Sequence, residues 1–222
     1  MSNSNSDDQK NIALRVLFPT LLIEGWYPAI EKEQESLIRR IYEIREGDKQ
    51  GRELCEKQYA NGYTSYFTQK KLHSDKAFKN LLQFIRKVAN DYAKKQYWDL
   101  DNHTLELKGF WCNVNGKNNH HPDHIHAHSQ IRGVIYLQCN EDSPAITLKD
   151  PRAIRWHSVP PVKQNRPENS TYAAITPGVG KLLMFPSWLE HGVPINTSDE
   201  DRISMSFNFD LRGKARPWGK RK

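Results

Sequence analysis

Arg202-Ile-Ser-Met-Ser-Phe-Asn-Phe209 alternates without a break: Ile203, Met205, Phe207 and Phe209 form one face, and Arg202, Ser204, Ser206 and Asn208 the other. A period of two marks an extended strand with one packed face. Most such strands turn the polar face to water. The alternative is a polar face turned into a barrel lumen, where a guanidinium and a hydroxyl two positions apart could grip a carboxylate.

Working outward, β-rich runs stand at close intervals over 105–114, 131–138, 145–149, 171–176 and 181–185, divided by Pro, Gly, Asn and Asp. Many short strands without helices between them mean a sandwich, jelly roll or barrel. The N-terminal half differs. Residues 12–23 read as an extended apolar segment interrupted by Pro19. Leu37, Ile38, Ile41 and Ile44 recur at helical spacing and predict an amphipathic helix over about 31–46, closed near Gly47. A second helix is predicted from Ser74 or Asp75 as N-cap to the mid-90s, its buried stripe Phe78, Leu81, Leu82, Ile85, Val88, Ala89 and Tyr92 packing on the sheet. The fold class is α+β, mainly β. One domain is expected over 11–211, with a helical buttress at about 31–97 and a β-barrel core at about 104–210, between a disordered stretch 1–10 and a basic tail 212–222.

Composition excludes several classes. Hydrophobic content of 37% and a mean hydropathy of −0.81 describe a chain with much polar surface. No apolar run approaches the ~20 residues of a membrane helix, and MSNSNSDDQK has neither the basic nor the apolar region of a secretory signal. Cys55, Cys112 and Cys139 are odd in number, far apart and without a CxxC pair. That suits a reducing cytoplasm, not a disulfide framework or zinc knuckle. Net charge is +7, but residues 211–222 hold six Lys/Arg and no acid. The excess is read as a solvated tail, and charge alone does not make this a nucleic-acid binder.

The histidines carry the chemistry. Five of nine fall in nine positions: His120, His121, His124, His126 and His128. In an extended chain His124, His126 and His128 would project together, at a spacing that lets two imidazoles share one metal. A solvated His-rich loop is the plainer alternative. A further histidine, His191, follows the apolar run after Gly178-Val-Gly180 and the break at Pro186, so it stands at a strand end where a ligand role is more natural than a core role. Imidazole ligands with open coordination positions suit iron(II).

Taken together, His124-Ile-His-Ala-His-Ser-Gln-Ile-Arg-Gly-Val-Ile-Tyr-Leu137, Asp150-Pro-Arg152, Gly180-Lys-Leu-Leu-Met-Phe-Pro-Ser-Trp-Leu-Glu-His191 and Arg202-Ile-Ser-Met-Ser-Phe-Asn208 resemble the 2-oxoglutarate/iron(II) oxygenases of marine bacteria and their phages, a branch of the prolyl-hydroxylase superfamily. The resemblance implies a double-stranded β-helix, a jelly-roll or cupin-like barrel. It implies iron(II) on His124, His126 and His191, and 2-oxoglutarate on Arg202 with Ser204, helped by Tyr136 and Asn113. The implied reaction couples oxidative decarboxylation of 2-oxoglutarate, with O2, to C–H hydroxylation of an unidentified substrate, a peptide or amino acid. The loop 152–170, with Trp156 and His157, would then form a rim. One departure matters: His126 stands where the superfamily has a carboxylate. A rival alignment takes His121-Pro-Asp123 as the ligand pair and restores it. Two other classes remain, a cupin-like metal-binding module without oxygenase activity and a basic nucleic-acid-binding domain using the tail. Oligomeric state is open.

Overall fold

The alternating stretch is a central strand. It runs Arg202–Gly213 (β10) and pairs antiparallel on both sides, with His103–Asn115 (β3) and Ile131–Gln138 (β5). Lys181–Pro186 (β8) and Ile23–Trp26 (β1) extend the sheet beyond β5, and Gly62–Thr64 (β2) closes the other edge, giving the order β1-β8-β5-β10-β3-β2. A second sheet consists of His121–His124 (β4), Ile146–Lys149 (β6), Tyr172–Ile175 (β7) and His191–Val193 (β9), in the order β4-β9-β6-β7. The structure is a computed structural model that describes residues 13–214, apart from the side chain of Trp156. The stretch 1–10 and residues 215–222 of the expected tail lie outside it. β10 continues to Gly213, so the first residues assigned to the tail are strand.

Two apolar layers fix which way β10 faces. Ile203, Met205, Phe207 and Phe209 pack with Leu37 and Ile41 of the helix Ile30–Gly47 (α1) and with Leu81 and Ile85 of the helix Lys79–Lys95 (α3). On the other side of the sheet, Val134, Tyr136, Leu183 and Phe185 meet Ile146 and Leu148 of the second sheet. Burying an apolar side chain contributes about 1.5–3 kcal/mol, and a one-residue slip would turn all four of β10 to the wrong face. Their sum outweighs the penalty of burying Arg202, Ser204 and Ser206, which are forced into the space between the sheets. This is a double-stranded β-helix buttressed by helices, as the sequence leads one to expect.

Departures have local causes. Pairing of the N-terminal segment begins only at Ile23, and Leu14, Val16, Leu17 and Phe18 are exposed. A helix at Lys49–Gln58 (α2) is absent from the sequence reading because it buries only Gly51 and Cys55, too little for a periodic stripe. Its cap is Asp48, whose carboxylate accepts from Gly51 N at 3.0 Å. In the second predicted helix Asp75 caps a short 3-10 turn, accepting from Ala77 N, and the α-helix begins at Lys79.

Gly133 shows how closely the sheet and core are fitted. A Cβ there would lie 2.2 Å from the Phe207 ring and 2.9 Å from Leu183 O. Gly133→Ala should therefore lower the unfolding free energy by about 1–3 kcal/mol, the usual cost of overpacking, in a denaturant titration. An unchanged midpoint would contradict this packing.

Candidate active site

β4 pairs with β9 so that His124 stands opposite His191. The chain then leaves the strand, and the His126 amide donates to Ser187 O at 3.0 Å, just past β8. Nε2 of His124 and Nε2 of His126 lie 3.1 Å apart, and His191 completes a group whose ligand atoms are all within 4.8 Å of one another. Two nitrogens each about 2.1 Å from one ion and at right angles would be about 3.0 Å apart. The expected alignment of His128 with this pair fails. At φ 64 it enters a left-handed turn and is exposed.

Each ring is oriented through Nδ1. His191 Nδ1 is 2.8 Å from Leu189 O and His124 Nδ1 is 2.9 Å from Pro122 O, so in both the Nδ1–H donates to a carbonyl. His126 Nδ1 is 3.2 Å from the Asn208 amide, whose Oδ1 is buried without a partner. Half a turn of that amide lets Oδ1 accept from Nδ1–H and satisfies both groups. All three Nε2 lone pairs are then free, the state that metal ligation requires. Burial first, and then the positive charge of Arg132, hold His126 and His191 at about 2. Burial lowers His124 too, so the three rings are neutral at neutral pH.

The rival pair is not brought together in the same way. The Asp123 carboxylate is held 2.7 Å from Lys149 Nζ, and His121 stacks on His124 with centroids 4.2 Å apart. Among the described residues, the converging group is His124, His126 and His191.

Between the sheets, these rings face a cavity of about 390 Å³ whose lining includes Arg202, Ser204, Tyr136, Asn113 and Arg132, and, among the described residues, no Asp or Glu. Arg202 is 3% exposed, with its guanidinium 4.7 Å from the Tyr136 ring centre and one N–H 3.5 Å from Asn115 Oδ1. Its Nε and the Tyr136 hydroxyl are buried without partners. Asn113 differs. Its Oδ1 accepts from Thr64 Oγ1 at 2.9 Å and its Nδ2 donates to Ser206 Oγ at 3.0 Å, so it positions Ser206 and has less to offer a ligand. The loop 152–170 contributes no described side chain to the lining. Asp150 ties it down instead, through ion pairs at 2.9 Å with Arg152 and Arg155.

Sequence reading missed Arg132. Its signal was a single charge in the apolar run Ile131–Leu137, on the same strand face as Tyr136. It is 7% exposed, and its Nη2 donates to Ser206 Oγ at 3.0 Å and its Nη1 to the Gly133 and Phe207 carbonyls. Burial lowers it to about 9, which leaves it charged at neutral pH.

Residues 109–208, spanning β3 to β10, match the family described as "Putative 2OG-Fe(II) oxygenase". Among curated protein sequences none matches the chain. Solved structures do match. A prolyl-4-hydroxylase of Pseudomonas putida is 14% identical with a TM-score of 0.53, over 87% of this chain and 94% of that one. HygX of Streptomyces hygroscopicus, with nickel, 2-oxoglutarate and hygromycin B bound, is 14% identical with a TM-score of 0.52, over 86% and 82%. The non-haem α-ketoglutarate-dependent epimerase SnoN from nogalamycin biosynthesis is 12% identical with a TM-score of 0.55, over 86% and 76%. At these identities the likeness speaks for the fold alone.

Buried neutral imidazoles make a pH prediction. Folded, His191 resists protonation down to about 2, whereas an unfolded histidine takes up its proton below about 6.5. The unfolded state therefore binds more protons in that window, and stability is full above about pH 6.5 and falls below it. The metal-free protein should lose melting temperature between pH 7 and 5, with His191 contributing at most about 1.4 kcal/mol per pH unit. His191→Gln should show a shallower decline, and a decline equal to wild type would contradict the buried neutral ring.

Proposed function

From the match of residues 109–208 to the 2-oxoglutarate/iron(II) oxygenase family, we propose that the chain binds iron(II) through His124, His126 and His191, binds 2-oxoglutarate through Arg202, and hydroxylates a substrate C–H bond. One observation carries the reading. Among the described residues, the buried side-chain atoms without a hydrogen-bond partner are Arg132 Nε, Tyr136 Oη, His191 Nε2, Arg202 Nε and Asn208 Oδ1. Four belong to residues lining the one cavity, and Asn208 touches His126. Each such group costs about 1–3 kcal/mol if left unpaired, so their clustering points to ligands that complete them.

The donor set fits a first-row divalent ion. Three neutral imidazoles converge from one side and leave positions open for other ligands. Iron(II) with 2-oxoglutarate would supply the oxidation, in which O2 gives one atom to succinate as carbon dioxide is lost and the other to the substrate. The chain's own task is to hold and orient. Arg202 offers an unpaired Nε–H beside its Nη2 N–H groups, an edge shaped for the two oxygens of a distal carboxylate. Tyr136 and Ser204 stand beside it to add hydrogen bonds. Val134 and Ile146 complete an apolar wall that shields the ion pair from water and strengthens it. A metal-binding module without oxygenase activity would have no use for a buried Arg202 whose Nε–H has no partner among the described residues. Hydroxylation is the outcome we assign, as the default end of this oxidation.

Anaerobic calorimetric titration of 2-oxoglutarate into iron(II)-loaded protein tests this reading. Truncating one partner of a buried charge pair costs about 2–5 kcal/mol, and a factor of ten corresponds to about 1.4 kcal/mol. Arg202→Ala should therefore weaken 2-oxoglutarate by about 30-fold or more, and Ser204→Ala by about 1 kcal/mol, with iron(II) retained in both. Normal 2-oxoglutarate binding by Arg202→Ala would remove the basis for the assignment.

A further inference from the structure

Arg132 has no task in the reading just given, yet it is a second buried guanidinium lining the cavity. Its guanidinium is buried, and among the described residues its Nε–H has no partner and no carboxylate lines the cavity. Of its other donors, Nη1 is engaged by the carbonyls of Gly133 and Phe207, and Nη2 gives a hydrogen bond to Ser206. What remains open is the Nε side, from which an arginine takes a carboxylate.

Its surroundings differ from those of Arg202. Arg202 stacks on Tyr136, which is itself completely buried. Arg132 stacks 4.9 Å from the centre of Trp111, Trp111 lies 5.0 Å from Tyr66, and Tyr66 lies 5.4 Å from Phe67. Tyr66 and Phe67 are 46% and 45% exposed, so an aromatic wall runs from the buried guanidinium to solvent. Trp111 also stands beside His126, with ring centres 5.9 Å apart, so this wall passes the proposed metal.

Charge points the same way. Iron(II) on three neutral rings would bring two positive charges, and Arg132 and Arg202 two more. 2-Oxoglutarate would cancel only two of these in a cavity to which the described residues contribute no acidic side chain. A phosphate dianion would call for several converging donors, whereas a carboxylate needs one guanidinium edge.

We propose that Arg132 receives the carboxylate of the substrate, a small apolar or aromatic carboxylic acid whose body lies along Trp111, Tyr66 and Phe67. This rests on the oxygenase reading for what happens to the acid, but the anion site has its own test. The full chain, loaded anaerobically with iron(II) and 2-oxoglutarate, is titrated with benzoate and, separately, with neutral benzamide. Benzoate should bind at least tenfold more tightly than benzamide, and Arg132→Met should lose that preference while binding 2-oxoglutarate within about twofold of wild type. Arg132→Lys, which keeps the charge without the fork, should fall between. Unliganded Arg132→Met should melt no lower than wild type, because it removes a buried charge without a counter-ion. A several-degree loss of melting temperature or failure to fold would assign Arg132 to the structure and overturn the proposal. Equal binding of benzoate and benzamide would overturn it as well. Tenfold weaker 2-oxoglutarate in Arg132→Met would make Arg132 a co-substrate residue instead. If benzoate binds through Arg132 but wild type binds no 2-oxoglutarate, the oxygenase reading fails and the anion site stands.

Discussion

Two guanidinium groups and three imidazoles line one cavity to which no carboxylate is contributed by the described residues, and the rest of the structure keeps them there. Without partners such groups are costly, because a medium of low dielectric constant does not replace their hydration. The cost is borne by the other face of the same strand. Ile203, Met205, Phe207 and Phe209 are fully packed under the helices, and strand geometry then leaves Arg202, Ser204 and Ser206 no direction but inward. The site is thus a consequence of strand alternation backed by a core, with groups set before any ligand arrives.

In the proposed site His126 stands where the resemblance implies a carboxylate, and that exchange would change the electrostatics of the whole pocket. Neither Asp123, held by Lys149, nor any other acid supplies the missing negative charge among the lining residues. A divalent ion on three neutral ligands is a stronger attractor of anions than one on two imidazoles and a carboxylate. Arg132 and Arg202 add to that field from the main sheet. A centre of this kind would favour an anionic co-substrate and leave positive charge in excess after it binds, which would tie the proposed ligand set to the proposed substrate class.

Strong periodicity made most of the fold legible from the residues themselves. The strand at 202–209 and the helix stripe Leu81, Leu82, Ile85 and Ala89 each have many residues that agree on one face. The strands β2, β4 and β9 did not declare themselves, because three or four residues of mixed polarity carry no period; their pairing is imposed by the main sheet. His124, His126 and His191 were recognisable from local pattern. His128 was grouped with them on the assumption that the strand continued, but it ends at His124. Arg132 escaped notice for the opposite reason. It is one polar residue in a strand whose other positions all read as core, and only the spatial meeting with Ser206 and Trp111 gives it meaning.

The central claim, that the three histidines and Arg202 form one site for iron(II) and 2-oxoglutarate, is tested most directly by visible absorption under anaerobic conditions. A 2-oxo acid chelated to protein-bound iron(II) gives a charge-transfer band that neither component has alone. Wild type should develop this band when iron(II) and 2-oxoglutarate are both added. His126→Ala should not develop it, and Asp123→Ala should develop it fully. Absence of the band in wild type, or its persistence in His126→Ala with loss in Asp123→Ala, would contradict the account.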